Sequence, residues 1–196
     1  MELTIVFLYV TLLLELVFFH VPSVANTSVF FTNNLSTINQ YNHYQYVFRW
    51  SNRKKIIWLL IPHVINIVVF FVPLLCLFFE KKHSVILLNI GVIMAFTGRL
   101  ISFLSMLQIR QGNLQKENDF RLHTTGFFSF SRNPIQVGMY LFYLGICLIN
   151  FNPMLLLCFL FYFFYNDFRI KIEEDFLEVK FKEHYIHYKL KTRRYL

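Results

Sequence analysis

The stretch GFFSFSRNPIQVG, residues 126–138, decides how the second half of this chain folds. Asn133 is a helix-capping residue type, Pro134 suits the first turn of a helix, and Gln136 can reach back to the cap. An apolar block follows, and beyond it lies the charged segment RIKIEE, residues 169–174. The two segments therefore predict a capped helix start and a pair of carboxylates on the two flanks of an apolar helical hairpin.

The composition is that of a membrane protein. Of the 196 residues, 56% are hydrophobic and 15% are charged, with a mean hydropathy of +0.48, which excludes an ordinary soluble domain. Apolar runs at 3–19, 56–79 and 84–109 are long enough, or nearly so, to cross a hydrocarbon core of about 30 Å. A fourth apolar block, 135–165, is interrupted by the turn formers of 150–153 and predicts two helices of roughly fifteen and twelve residues.

These runs predict an all-α fold. We expect a polytopic membrane helical bundle of about five membrane helices, including a C-terminal helical hairpin, plus an interfacial C-terminal helix. Residues 1–110 would hold the N-terminal membrane spans with a polar loop at 22–55, and residues 111–196 would form a second region that carries the polar candidate site.

The formal charge of +8 comes from basic residues beside the apolar runs. That distribution favours a lipid bilayer as the partner and argues against nucleic acid, which would need one long basic surface. The positive-inside rule places the clusters at 49–55, 110–132 and beyond Asn166 in the cytoplasm, with the first span retained. The alternative, a signal peptide cleaved near 23–25, is disfavoured because the segment before it holds no Lys or Arg.

The cysteines and histidines give no sign of a disulfide framework or a metal site. Cys76, Cys147 and Cys158 lie within apolar segments and fit buried small hydrophobic residues. His184 and His187 are three residues apart, but no third ligand accompanies them. We therefore expect no bound metal.

Two groups of polar residues have both a structural and a functional interpretation. A helix start at Asn133 is structural, yet its free N–H groups and its dipole also attract a carboxylate or phosphate, with Arg132 adjoining. Arg169 and Glu173 are spaced for an i,i+4 ion pair worth a few tenths of a kcal/mol. Alternatively, Glu173 binds a cationic or hydroxyl-bearing ligand while Arg169 faces an anionic one. Arg99, inside a predicted span, is a second-rank candidate because an ionisable group there is costly.

With these residues in view, the last eighty or so positions resemble the integral-membrane methyltransferases, the isoprenylcysteine carboxyl methyltransferase and phospholipid methyltransferase group. Members typically read T-x-G-x-Y-x-x-x-R-[HN]-P-x-Y-x-G, then an apolar hairpin, then R-x-x-x-E-E-x-x-L-x-x-x-F-G-x-x-Y-x-x-Y. The matching positions are Thr124, Gly126, Arg132, Asn133, Pro134 and Gly138, followed by Arg169, Glu173, Glu174, Leu177, Phe181, Tyr185 and Tyr188.

The resemblance implies a site for S-adenosylmethionine on the cytoplasmic side, enclosed by the hairpin and the last helix. It implies cofactor contacts at Gln115, Phe120, Arg121, Leu122, His123, Phe128, Arg132, Asn133, Pro134, Ile135, Gln136 and Glu173. Arg169 would contact the substrate and hold its carboxylate, and Glu174 or His123 would accept a proton if the acceptor were an amine. The acceptor would be lipophilic, a prenylated cysteine or a phospholipid.

The chain departs from the family pattern at four positions. Family members usually have Tyr where Phe128 and Gln136 stand, Gly where Lys182 stands and, in the isoprenylcysteine enzymes, His where Phe120 stands. We expect O-methylation of the isoprenylcysteine type, with a phospholipid N-methyltransferase as the first alternative. An NADPH-dependent enzyme like the membrane sterol reductases, an inactive relative and a structural membrane protein are the others.

Overall fold

The structure is a computed structural model that describes residues 84–114, 122–149 and 153–196, together with Val10 and isolated positions between 51 and 68. Apart from these isolated positions, the first two predicted spans and the loop at 22–55 lie outside the described residues, as do the turn residues 150–152 and Gln115, Phe120 and Arg121. The predicted division of the chain at residue 110 and the cytoplasmic orientation stay predictions.

The regular structure within the described residues is helical, as the sequence predicts. The helices are α1 (Val85–Leu114), α2 (Phe127–Phe130), α3 (Pro134–Ile149), α4 (Pro153–Phe181) and α5 (Glu183–Lys191). Within these ranges, Val85–Ile109 is the one helix long and apolar enough to cross a membrane, and α3 is a shorter apolar helix of 16 residues. The described residues thus establish an all-helical, membrane-compatible fold. The predicted number of about five membrane helices stays a prediction.

Helices α1 and α3 run antiparallel with their backbones in direct contact. A Cβ atom added at Gly91 would lie 2.7 Å from the carbonyl oxygen of Gly145, and one added at Gly138 would lie 2.5 Å from that of Gly98. At Gly145, an added Cβ would lie 2.5 Å from the backbone nitrogen of Ala95. Small residues at helix interfaces allow such an approach, so this pair is the tightest packing in the described fold.

Aromatic side chains fill the space between α3 and α4. The rings of Tyr143 and Tyr162 lie 4.6 Å apart between centroids, and those of Tyr140 and Phe163 lie 5.0 Å apart. Tyr143 and Leu155 are fully buried in this core. The predicted hairpin therefore forms, with α3 between α1 and α4.

The predicted length of the second hairpin arm is wrong. The sequence predicts about twelve residues, yet α4 continues for 29, through the charged segment 169–174. No Gly or Pro interrupts residues 154–181, and Lys and Glu are good helix formers, so the loss of apolar character does not end the helix. Arg169 and Glu174 consequently lie on the same rigid element as the aromatic core.

Helix α4 ends at a strained residue. Lys182 has φ 48° and ψ −123°, close to the φ 61° and ψ −128° of Gly126 before α2. Side chains with a Cβ rarely adopt this region, whereas glycine adopts it freely. The N–H of Lys182 donates to the carbonyl of Glu178 (2.8 Å), and its own carbonyl accepts from Tyr185 (3.1 Å), so one residue ends α4 and begins α5.

We expect the substitution Lys182→Gly to stabilise the protein by about 1 kcal/mol. Glycine removes a conformational strain of order 1–3 kcal/mol, and part of that gain is offset by the greater freedom of glycine in the unfolded chain. The thermal midpoint in detergent measures the change. Lys182→Ala is the matched control, because it removes the same side chain and keeps the Cβ. An equal gain in both variants would show that the backbone conformation is not the cause.

Candidate functional site

The segment before α3 begins the helix where the sequence predicts. Pro134 is the first helical residue, and the N–H of Val137 donates to the carbonyl of Asn133 at 3.1 Å. The hydroxyl of Tyr162 on α4 donates to Oε1 of Gln136 at 3.4 Å, so Gln136 links the start of α3 to α4. The N–H groups of Ile135 and Gln136 fall in the first turn, where a helix offers donors without an internal partner.

Arg132 is held by internal partners. Its Nε and Nη2 donate to Oε1 of Glu174 at 3.1 Å and 2.8 Å. Its Nη1 donates to the carbonyls of Thr192 (2.6 Å) and Lys189 (3.1 Å). The side chains of Arg132 and Glu174 are only 8% and 5% exposed. Arg132 thus ties α4 and the segment after α5 to the start of α3, and its predicted contact with a cofactor stays a prediction.

Glu174 carries a second guanidinium. Arg194 Nη2 donates to Oε2 at 2.8 Å, and Arg194 Nε lies 3.2 Å from both carboxylate oxygens. Burial acts to raise the pKa of Glu174, but hydrogen bonds from Arg194 and Arg132 outweigh it and lower this pKa below its usual value. A carboxylate held in this way is a weak proton acceptor. A structural role suits Glu174 better than the predicted catalytic one, which stays a prediction.

Helix α4 presents two polar faces. The first, here called the anchored face, consists of Asp167, Lys171, Glu174 and Glu178, whose spacings of four, three and four residues align them. Each carboxylate on it has a cationic partner: Lys171 Nζ lies 2.7 Å from Asp167 Oδ2, and Lys189 Nζ lies 2.9 Å from Glu178 Oε2. The anchored face is therefore occupied by ion pairs.

The second face, here called the open face, consists of Tyr162, Asn166, Arg169 and Glu173. Among the described residues, Arg169 and Glu173 do not form the ion pair that their spacing allows, which was one of the two interpretations left open. Glu173 is exposed, and the Nε of Arg169 is buried with no hydrogen-bond partner in the described part of the chain. A buried donor without a partner costs free energy, so the described residues leave this face with a donor that a polar ligand could satisfy.

An aromatic pair lies just before α3. The His123 ring is 5.9 Å from the ring of Phe128, which is buried, and Leu122 is half-buried. The hydroxyl of Tyr188 on α5 donates to the carbonyl of Phe128 at 2.6 Å. The position of α2 is thus fixed by α5.

Gln108 was not predicted as part of this region. Its Nε2 donates to the carbonyl of Thr125 at 2.6 Å, and its Oε1 accepts from the N–H of Phe127 at 3.2 Å. An amide near the end of the apolar run 84–109 was the available signal. Within the described residues, no group of three or more His, Cys, Asp or Glu could hold a metal ion.

The ion pairs of Glu174 predict a specific loss of stability in acid. The pKa of Glu174 in the folded state is lower than its ordinary 4.5, so its stabilisation is complete above that value and is lost as the pH falls through the folded-state pKa. We expect Glu174→Gln to lower the free energy of unfolding at neutral pH by about 3–5 kcal/mol. The variant should also lose part of the acid dependence below pH 4.5.

Denaturation midpoints between pH 3 and 7 in detergent would measure both effects. Glu178→Gln is the control, because its exposed pair with Lys189 should contribute about 0–1 kcal/mol. Equal effects of the two substitutions would contradict the central role of Glu174.

Comparisons with known proteins give the family. A segment of 80 residues is 39% identical to protein-S-isoprenylcysteine O-methyltransferase of Saccharomyces cerevisiae, covering 40% of this chain and 33% of the yeast protein. The chain thus matches about a third of that relative's length. No solved structure matches at a significant level. The phospholipid methyltransferase family matches residues 84–184, just over half of the chain and the whole of the region from α1 to the start of α5. This chain therefore belongs to the phospholipid methyltransferase family.

Proposed function

We propose that this protein transfers a methyl group from S-adenosylmethionine to the carboxylate of a prenylated cysteine. Methyltransferases of these families use S-adenosylmethionine as the methyl donor. The observation that carries the proposal is the open face of α4, where the exposed Glu173 and the buried donor of Arg169 lie one turn apart. The yeast relative is a protein-S-isoprenylcysteine O-methyltransferase, which supports the same acceptor class.

The polar and aromatic groups around the start of α3 fit the parts of this cofactor. The free N–H groups of Ile135 and Gln136 would hold its carboxylate. Glu173, which has no ion-pair partner among the described residues, would accept from hydroxyl or ammonium groups. His123 and Phe128 offer aromatic rings to the purine. When bound, the cofactor supplies an electrophilic methyl group on a sulfonium.

The other cofactor contacts implied by the family resemblance belong to the same proposal. Leu122 directly precedes His123 of the aromatic pair, and Pro134 is the first residue of α3. Gln115, Phe120 and Arg121 are assigned by resemblance alone. The Tyr expected at Gln136 is absent from this chain, but the Tyr162 hydroxyl lies 3.4 Å from Gln136 Oε1 and brings a hydroxyl to the same place.

The chemistry of α4 favours a carboxylate acceptor over an amine. A carboxylate is ionised at neutral pH and needs no base, so positioning is the main requirement. The guanidinium of Arg169 would hold it through charge-assisted hydrogen bonds, which would also satisfy the buried Nε. An amine would have to lose a proton, and Glu174, hydrogen-bonded to two guanidiniums, is poorly suited to accept it.

The apolar surface of α1 supports a bilayer location and a lipophilic acceptor. Ile86, Ile93 and Leu100 recur every seven residues along α1 and are exposed within the described structure. A prenyl chain would reach the site from the bilayer, in a multi-pass protein whose site faces the cytoplasm.

Membranes that express the protein, given methyl-labelled S-adenosylmethionine, would test the proposal. Prenylated cysteine and phosphatidylethanolamine are supplied as competing acceptors. We expect label in the prenylcysteine fraction as an alkali-labile ester. Loss of a hydrogen bond to a charged group costs about 1.5–3 kcal/mol, so Glu173→Ala should lower cofactor-limited transfer about tenfold or more.

Glu178→Ala is the matched control, because it removes an exposed carboxylate from the anchored face of the same helix. It should leave transfer unchanged. Label in the phospholipid fraction would replace O-methylation with N-methylation, and no label in either fraction would overturn the proposal.

A further inference from the structure

We propose that Arg194 is a positioning residue that sets the rotation of α4 relative to the start of α3. The proposal rests on the proposed function in one respect: the groups that it positions, Arg169 and Glu173, are those assigned there to substrate and cofactor. The geometry itself is independent of that assignment and can be measured separately.

The segment 192–194 lies directly against the segment 131–133. The successive carbonyls of residues 192–194 accept hydrogen bonds from donors in residues 131–133. The donor–acceptor pairs are Arg132 Nη1 to Thr192 O (2.6 Å), Arg132 N to Arg193 O (2.9 Å), Ser131 Oγ to Arg194 O (3.1 Å) and Asn133 Nδ2 to Arg194 O (3.2 Å). Residues just before α3 are therefore held by the backbone that follows α5.

The side chain of Arg194 extends from this backbone to the anchored face of α4. It donates to Glu174 Oε2 at 2.8 Å, and its Nη1 lies 3.6 Å from Oδ1 of Asp167. The hydroxyl of the next residue, Tyr195, donates to the same Asp167 oxygen at 2.9 Å, and its ring lies 5.7 Å from that of Tyr140 on α3. Two carboxylates of one helix are thus fixed from one short segment.

These contacts constrain α4 in two ways. Asp167 and Glu174 are seven residues, or about 10.5 Å, apart along the helix axis, so holding both resists tilting as well as sliding. Adjacent helical residues differ by about 100° around the axis, so holding Glu174 also fixes where Glu173 points. Arg194 is the residue whose carbonyl holds Asn133 and whose side chain holds Glu174.

Loss of the Arg194 side chain should loosen this arrangement without unfolding the protein. Arg194 is 31% exposed, whereas the pair of Arg132 and Glu174 is almost fully buried. That pair remains in an Arg194→Ala variant, and so does the backbone carbonyl of residue 194. The expected consequence is freer rotation of α4 about its axis.

A distance measurement tests this without any cofactor. Spin labels at Phe130→Cys and Lys180→Cys, both exposed positions, report on α2 and α4 in a chain whose three natural cysteines are replaced by alanine. We expect Arg194→Ala to broaden or shift the distance distribution and Arg194→Lys to preserve more of it. Arg193→Ala is the matched control, since it removes an exposed neighbouring charge and keeps the carbonyl that accepts from Arg132.

Affinity for S-adenosylmethionine, measured well below the thermal midpoint of each unlabelled variant, supplies the second readout. We expect the dissociation constant to rise about tenfold in Arg194→Ala, less in Arg194→Lys and not at all in Arg193→Ala, a tenfold change being about 1.4 kcal/mol. A merely stabilising role would lower the midpoint and leave the affinity unchanged.

The outcomes separate this proposal from the proposed function. A changed distance distribution together with weaker binding supports both. A changed distribution in Arg194→Ala, when the wild type binds no S-adenosylmethionine, supports the positioning role and overturns the proposed function. An unchanged distribution in Arg194→Ala overturns the positioning role, whether or not the affinity changes.

Discussion

The buried carboxylate of Glu174, shared by the guanidiniums of Arg132 and Arg194, is the interaction on which the rest of the described structure depends. Each group comes from a different part of the chain: the turn before α3, the charged half of α4 and the segment after α5. The side chains of Arg132 and Glu174 are almost fully buried, and buried charges are tolerated only when nearly all of their hydrogen-bonding capacity is satisfied. That condition fixes three backbone segments together, and it holds here because Arg132 donates to backbone carbonyls as well as to Glu174.

This network also divides the polar residues of α4 into two groups with different roles. Asp167 and Glu174 tie α4 to the segment after α5, and Glu174 also ties it to Arg132, whereas Arg169 and Glu173 lie on a different side of the helix. The two neighbouring glutamates therefore differ in kind although the sequence presents them as a pair. One is buried and bound by two cations, and the other is exposed.

Sequence patterns were sufficient for the helix start at Pro134 and for the hairpin, because caps, turn formers and apolar runs act locally. They failed for the length of α4, because a change from apolar to charged residues marks the end of a membrane segment without ending a helix. They also failed to predict the role of Arg194. Its side chain pairs with Glu174, 20 residues away in sequence, and its carbonyl accepts from Ser131, 63 residues away. No periodic pattern encodes such pairings. The spacing of seven residues between Gly91 and Gly98, repeated between Gly138 and Gly145, was a usable signal for the contact of α1 with α3.

The contact between α1 and α3 also limits how a membrane-dissolved molecule could approach. Their backbones lie so close that a single methyl group added at Gly98, Gly138 or Gly145 would overlap the opposite helix. A hydrocarbon tail is wider than a methyl group, so this seam is closed to lateral passage of lipid. Any route from the bilayer to the open face of α4 must therefore avoid the contact between α1 and α3.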